Sequence, residues 1–171
     1  MPGWRDRLRD TLAGRQARPG DVYAGLRSHA LALDPMSFRR PDGEPWSGAL
    51  LAMMEMGLPS ATVTFVATAD GAASMYTSTG GGVIGAGEHA AVRVAADRFR
   101  AVAAAARADL QRTTEFPGPL PGEVRFQLRT EDGGYTGVAP ESALSTGRHA
   151  LSELYAAGQD LITEIRLASP D

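Results

Sequence analysis

The stretch that decides the fold reads Ala61-Thr-Val-Thr-Phe-Val-Ala-Thr-Ala-Asp-Gly-Ala-Ala-Ser-Met-Tyr-Thr-Ser78. Its first half, residues 61–69, is rich in Thr, Val and Phe, which suit a pleated strand. The dipeptide Asp70-Gly71 supplies the positive φ angles that a tight hairpin turn requires, and residues 72–78 return as the partner strand. We therefore predict an antiparallel hairpin, around which the other segments arrange.

Three more segments predict strands. Ala49–Gly57 is an apolar run interrupted only by Glu55, and its periodicity fits a buried strand or a short helix. Its length and the turn that follows favour the strand. Glu123–Thr130 alternates, which predicts Val124, Phe126 and Leu128 inward and Arg125, Gln127 and Arg129 outward. The turn at residues 131–134 leads to a short partner strand over residues 135–139.

Four segments predict helices. Residues 1–20 carry Trp4, Leu8 and Leu12 at i, i+4 and i+8 among arginines, a spacing typical of an amphipathic helix. A second helix is predicted from an N-cap at Asp21 to Leu33. Two longer helices are predicted over about 88–113 and 148–167. Gly158 lies on the inner face of the last one, which implies a close contact there.

The predicted order is two N-terminal helices followed by β-β-β-α-β-β-α. It indicates an α+β fold with a five-stranded, mainly antiparallel sheet and helices packed on one face. Residues 1–20 are interpreted as an N-terminal basic segment and residues 21–171 as a single domain. In size and layers this arrangement loosely resembles profilin-like and GAF-like sensor modules, a likeness of architecture alone.

Composition excludes several classes of function. The 171 residues include no Cys and, among 17 basic residues, no Lys, which excludes thiolate chemistry, a P-loop lysine and a Schiff-base lysine. A net charge of −3 provides no basic field for nucleic acid. There is no signal-peptide core and no run of about 18 apolar residues. The Arg-only, Ala-rich composition indicates a GC-rich bacterial genome, and we expect a cytoplasmic protein without a cofactor.

The most distinctive candidate site is the junction Thr79-Gly-Gly-Gly-Val-Ile-Gly-Ala-Gly-Glu-His89. Backbone N–H groups of a glycine-rich turn before a helix favour an anion. The candidate ligand residues are therefore Gly80, Gly81, Gly82, Gly85, Gly87, Glu88 and His89. The spacing does not match G-x-G-x-x-G, and Glu88 would repel a phosphate. We favour the other interpretation, in which the glycines let the chain fold back over the sheet.

Charged residues on the strands supply the remaining candidates. Arg125 and Arg129 share the face predicted to be outward and join the candidate anion-binding set. Glu55 is expected near the end of its strand on an open face; the alternative is a buried acid paired with an arginine, for example Arg125 or Arg129. The three histidines, His29, His89 and His149, lack metal-ligand spacing, so no metal site is predicted. No catalytic residue is assigned.

These observations favour a non-catalytic protein-interaction module, either an assembly subunit or a homo-oligomer, with Trp4, Leu8 and Leu12 as its docking residues. The alternative is a sensor domain for a small anionic ligand, such as a nucleotide or sugar phosphate, bound by the loop of residues 80–87. A third possibility is an enzyme that uses Glu55, Glu88 or His89 as an acid or base.

Overall fold

A computed structural model describes residues 18–44 and 46–169 of the chain. The predicted docking residues Trp4, Leu8 and Leu12 lie outside these ranges. In chain order the elements are α1 (Pro19–Leu31), β1 (Ala49–Gly57), β2 (Thr62–Thr68), β3 (Ala73–Thr77), β4 (Gly82–Ile84), α2 (Ala90–Ala105), β5 (Gln111–Thr113), β6 (Glu123–Thr130), β7 (Gly133–Pro140), α3 (Glu141–Leu144) and α4 (Ser152–Ala168). Short 3₁₀ turns occupy Pro35–Ser37, Ala86–Glu88 and Ala106–Asp109.

The strands form one antiparallel sheet in the order β4-β3-β2-β1-β6-β7-β5. The predicted hairpin is confirmed as β2 and β3, but of the two turn residues Gly71 alone has a positive φ, at 84°, and Asp70 does not. The strands predicted at Ala49–Gly57 and Glu123–Thr130 are confirmed with the same bounds. An α+β fold with an antiparallel sheet is therefore correct.

The sheet has seven strands rather than the five that were predicted. The additional strands are the two three-residue edges, β4 and β5. The helix predicted over 88–113 was too long, because Ala106–Asp109 tightens into a 3₁₀ turn and Leu110 is extended. Residues 111–113 then find their backbone hydrogen bonds on β7 instead of in a helix.

Two helices begin at residues other than those predicted. Helix α1 begins at Pro19, with Arg18 as its N-cap, so Asp21 lies in the first turn and is not the cap. The last helix begins at Ser152, and the separate short helix α3 precedes it. No helix within residues 18–44 and 46–169 combines the length and the hydropathy that crossing a membrane would require.

Helices α2 and α4 pack on one face of the sheet. Their buried side chains contact the alternate strand residues that point to that face, among them Met54, Phe65 and Phe126. A Cβ on Gly158 would lie 2.5 Å from Sδ of Met54, so the predicted close contact is confirmed, with a side chain as its partner. The main apolar core lies between these helices and the sheet.

Helix α1 packs on the opposite face, which corrects the prediction that all helices share one face. Ala30 and Leu31 of α1 contact Leu51, Met53 and Val66 there. Strand β1 is consequently buried on both sides, which explains why its sequence is a continuous apolar run. The face predicted to be outward on β6 is also covered: Gln127 is buried, and Arg125 and Arg129 are half-buried.

Candidate functional site

A row of polar side chains crosses the α1 side of the sheet. The strand register sets Tyr76 of β3 opposite Thr64 of β2, Thr64 opposite Glu55 of β1, and Glu55 opposite Arg125 of β6. Directly opposed residues bring their Cβ atoms to about 4.5–5.5 Å. The row therefore follows from pairing alone, before any helix contributes.

Glu55 is fully buried, and its carboxylate is paired with Arg27 of α1. The Arg27 Nε donates to Oε1 at 2.6 Å and its Nη2 donates to Oε2 at 2.9 Å, a two-pronged ion pair. The open-face prediction for Glu55 is wrong. The buried-acid alternative is correct, but the partner is Arg27 and not Arg125 or Arg129.

Two further donors reach the same carboxylate, because the Thr64 and Tyr23 hydroxyls are bonded to each other at 2.8 Å and leave one proton for Glu55. The amide of Gln127 donates to Oε2 at 3.0 Å, and the hydroxyls of Thr64 and Tyr23 lie 3.3 and 3.4 Å from Oε1. An ionised carboxylate has about four lone-pair sites. Glu55 is thus saturated by protein donors and shielded from solvent, which disfavours a role as a general base.

The same cluster ties a proline-rich loop to the sheet. The Arg27 Nη2 also donates to the carbonyl of Phe116 at 2.7 Å, and the Gln127 amide donates to that of Pro117 at 2.8 Å. At the other end of α1, Arg129 donates to the carbonyl of Leu31. Helix, loop and sheet are therefore joined through one buried polar cluster.

The cluster raises the pKa values of Arg27, Tyr23 and Tyr76. Burial opposes the charge on Arg27, yet the hydrogen bonds and the negative charge of Glu55 raise the pKa of Arg27. Burial raises the pKa of Tyr23, although its hydrogen bond with Thr64 acts the other way. Burial, and then the charge of Glu55, raises the pKa of Tyr76 well above its ordinary value. The network therefore favours a charged arginine and neutral phenols.

A groove formed by two adjoining depressions, which share Leu26 and Tyr76 in their lining, lies between α1 and strands β2, β3 and β4, and its apolar part encloses about 20 Å³. Its wider part is a cleft of about 230 Å³ at the first turn of α1. We call the whole feature the α1 groove. Its lining consists of Pro19, Val22, Tyr23, Leu26, Ala30 and Leu33 from the α1 side and Val66, Thr68, Ser74, Tyr76, Thr77, Gly80, Gly81 and Ile84 from the sheet side.

Tyr76 lies at the centre of the α1 groove and connects it to the polar cluster. Its ring meets that of Tyr23 edge to face, with 5.7 Å between the ring centroids. Only 5% of Tyr76 is exposed, and its hydroxyl has no hydrogen-bond partner within the described part of the chain. A buried hydroxyl without a partner loses its hydration without compensation.

Two glycines of the predicted ligand loop line the cleft, namely Gly80 and Gly81. Two others are required by close packing. A Cβ on Gly82 would lie 2.2 Å from the carbonyl oxygen of Met75, and one on Gly87 would lie 2.0 Å from that of Gly71. These distances support the interpretation in which the glycines let the chain fold back over the sheet.

The other predicted ligand residues do not converge on the cleft. Gly85 precedes the Ala86–Glu88 turn with a φ of 81°, and His89 is the exposed N-cap of α2. Arg125 and Arg129 are on β6, four strands from β4, which corresponds to about 19 Å at the usual strand spacing. The glycine loop and the two arginines therefore belong to different parts of the sheet.

Within the described ranges, no group of three His, Cys, Asp or Glu side chains is arranged to hold a metal ion. Comparison of the chain with protein-family models, with curated proteins and with solved structures finds no match. The α1 groove and the Glu55 cluster behind it are therefore assigned as the candidate site on geometry alone.

We expect removal of the Tyr76 hydroxyl and removal of the Tyr23 hydroxyl to have different effects on the free energy of unfolding. Tyr76→Phe removes an unpartnered group and should leave stability at pH 7 unchanged or slightly higher, whereas Tyr23→Phe removes the 2.8 Å bond with Thr64 and should cost about 1 kcal/mol. Urea unfolding of the two variants measures both. A clear loss in Tyr76→Phe would contradict the geometry of the cluster.

The raised pKa of Tyr76 also predicts a loss of stability at alkaline pH. Because the folded pKa of Tyr76 lies above the ordinary value of 10.0, the unfolded chain releases its proton first. Stability should therefore be complete below about pH 10 and fall as pH rises above it, and Tyr76→Phe should reduce that fall.

Proposed function

We propose that this chain is a non-catalytic protein-interaction module of the bacterial cytoplasm that assembles with further copies of itself through the α1 groove. The observation that carries the proposal is the apolar lining that Leu26 and Ala30 of α1, with Leu33 just after it, present beside Val66 and Ile84 of the sheet. Grooves of this kind accept the apolar face of an amphipathic helix.

The rim of the α1 groove supports a docking role. Ile84 is on edge strand β4 and is 41% exposed although it borders an apolar surface. Edge strands are normally protected from pairing with another chain because they are short or charged. β4 has only three residues, so its backbone is protected by its shortness. A partner that covers Ile84 would remove apolar area from water without disturbing the core.

The burial and hydrogen bonding of Glu55 support a function other than catalysis. The oxygens of Glu55 are occupied by donors from three elements, and its side chain is 0% exposed. A base that must accept a substrate proton needs to come within hydrogen-bond reach of that substrate. The buried pair is better suited to hold one wall of the groove in place.

Substitution at the rim of the groove tests the proposal. Ile84→Arg places a charge on the apolar surface and should lower the mass of the full chain in solution from an oligomer to the 18.0 kDa monomer. Val94→Arg is the matched control, because Val94 is 71% exposed on α2, across the sheet from α1. Light scattering with size-exclusion chromatography measures the mass. A monomeric unsubstituted chain, or an oligomer unaffected by Ile84→Arg, would refute assembly through this groove.

The second candidate function is binding of a small anionic ligand, such as a nucleotide or sugar phosphate, at the wide end of the groove. The cleft there is bounded by Gly80, Gly81 and the first turn of α1, where the positive end of the helix dipole favours an anion. The acidic Asp21 in the same turn counts against it.

Thermal-shift measurements with a panel of nucleotides and sugar phosphates test this candidate. A ligand at 100 times its Kd stabilises the folded state by about 2.7 kcal/mol, which is a readily measured shift in Tm. Thr77→Glu, which adds a carboxylate at the cleft, should abolish the shift, and Thr163→Glu on the exposed side of α4 should preserve it. An unchanged Tm with the whole panel would exclude the candidate for those ligand classes.

A further inference from the structure

Helix α1 is attached to the sheet by fewer buried residues than the two long helices on the opposite face. Two of its residues, Ala30 and Leu31, are buried, compared with five on α2 and six on α4. The main core joins α2, α4 and the sheet, and all of its buried members lie outside α1. The apolar burial that stabilises most of the fold therefore does not involve α1.

We propose that α1 is a hinged cover of the sheet. It swings away as one unit while the sheet, α2 and α4 keep their structure, and the ion pair between Arg27 and Glu55 holds it closed. Proteins open locally in cooperative units, and the units with few buried apolar contacts open at the lowest free energy. The inference goes beyond the proposed self-association and does not depend on what occupies the α1 groove.

The hinge is placed at the C-terminal end of α1. Ala32, the C-cap, is exposed and has φ −91° and ψ 6°. Leu33, the next residue, packs against Phe38 and Leu50 in a separate small cluster, which keeps the following loop on the protein. Residues 19–29 are exposed or half-buried throughout. A backbone rotation at Ala32 therefore moves α1 and leaves the loop after it in place.

Two long side chains make the polar contacts between this part of α1 and the sheet. Arg27 donates to both oxygens of Glu55, and the hydroxyl of Tyr23 is bonded to that of Thr64 at 2.8 Å. These are bonds between side chains, so they are exchanged for bonds to water when the helix leaves, without disturbing the backbone ladder of the sheet. The opening of α1 thus leaves the strand pairing intact.

The buried ion pair makes the closed position specific and still allows the helix to leave. Burial removes water from both Glu55 and Arg27, and the attraction between the charges does little more than offset that loss. When α1 swings out, both charges regain their hydration together. Glu55 is fully buried in the closed form and gains access to water in the open form, so the position of α1 controls whether this carboxylate is accessible.

Hydrogen exchange of single amides, measured by NMR on the full chain, tests the opening. We expect residues 23–31 to share one protection factor, at least about tenfold below those of β1 and the centre of α2. A shared value distinguishes opening as a unit from fraying, which lowers protection progressively toward the helix end. The Ile84→Arg chain is measured beside the unsubstituted one, so that protection by self-association is recognised.

Ile165→Val separates opening of α1 from unfolding of the whole chain. Ile165 is 0% exposed in the main core, so the substitution destabilises the closed and the open form equally against the unfolded chain. Protection of β1 and α2 should fall several-fold, and that of residues 23–31 should stay the same. Equal protection of α1 and α2 in the Ile84→Arg chain, or a parallel loss in both with Ile165→Val, would overturn the inference.

Glu55→Gln tests the ion pair, because it keeps the shape of the side chain and removes its charge. Protection of residues 23–31 should fall about 10- to 100-fold, the usual effect of weakening hydrogen bonds to a charged group. Asp160→Asn is the matched control; it breaks the exposed pair with Arg98 on the opposite face of the sheet and should leave α1 unaffected. If Glu55→Gln also leaves the protection of α1 unchanged, the pair does not hold the cover closed and that assignment is wrong.

Discussion

The ion pair between Glu55 and Arg27 is the contact on which the second layer of this protein depends. The carboxylate is fully buried and Arg27 is partly buried, with an 18% exposed side chain. Removing one partner of such a pair typically costs about 3–5 kcal/mol, because the other charge is left buried and unpaired. Arg27 also holds the carbonyl of Phe116, so the pair fixes both α1 and the proline-rich loop. The α1 groove exists only because α1 is held beside the β3–β4 ribbon.

The central position of β1 explains why an acid is found there at all. β1 lies between β2 and β6 and is covered by helices on both faces, so its residues have no solvent-exposed side. A charge at position 55 is compatible with that burial only if donors surround it. Arg27, Gln127, Thr64 and Tyr23 supply them from α1 and two neighbouring strands. The cluster makes the position of α1 specific, whereas an apolar contact alone would tolerate sliding.

Much of the sheet is predictable from local pattern, because strand periodicity is a short-range signal. Ala49–Gly57 and Glu123–Thr130 have the predicted bounds, whereas the three-residue edges β4 and β5 are too short to show any period.

The partner of Glu55 is 28 residues away in sequence, and only the packing of α1 brings it near. One signal did exist: Arg27 interrupts the buried side of α1 just as Glu55 interrupts β1. Two lone opposite charges, each within an apolar face, indicate a buried pair. The steric roles of Gly82 and Gly87 depend on backbone carbonyls that approach them only in the folded chain.

A double-mutant cycle on the pair is the most direct test that it positions α1. Urea unfolding of Glu55→Met, Arg27→Met and the double variant measures the coupling between the two side chains. We expect each single substitution to cost about 3–5 kcal/mol and the double substitution to cost clearly less than their sum. Additive losses, with coupling near zero, would show that the two side chains act independently and would contradict the assignment of this pair as the contact that holds the second layer.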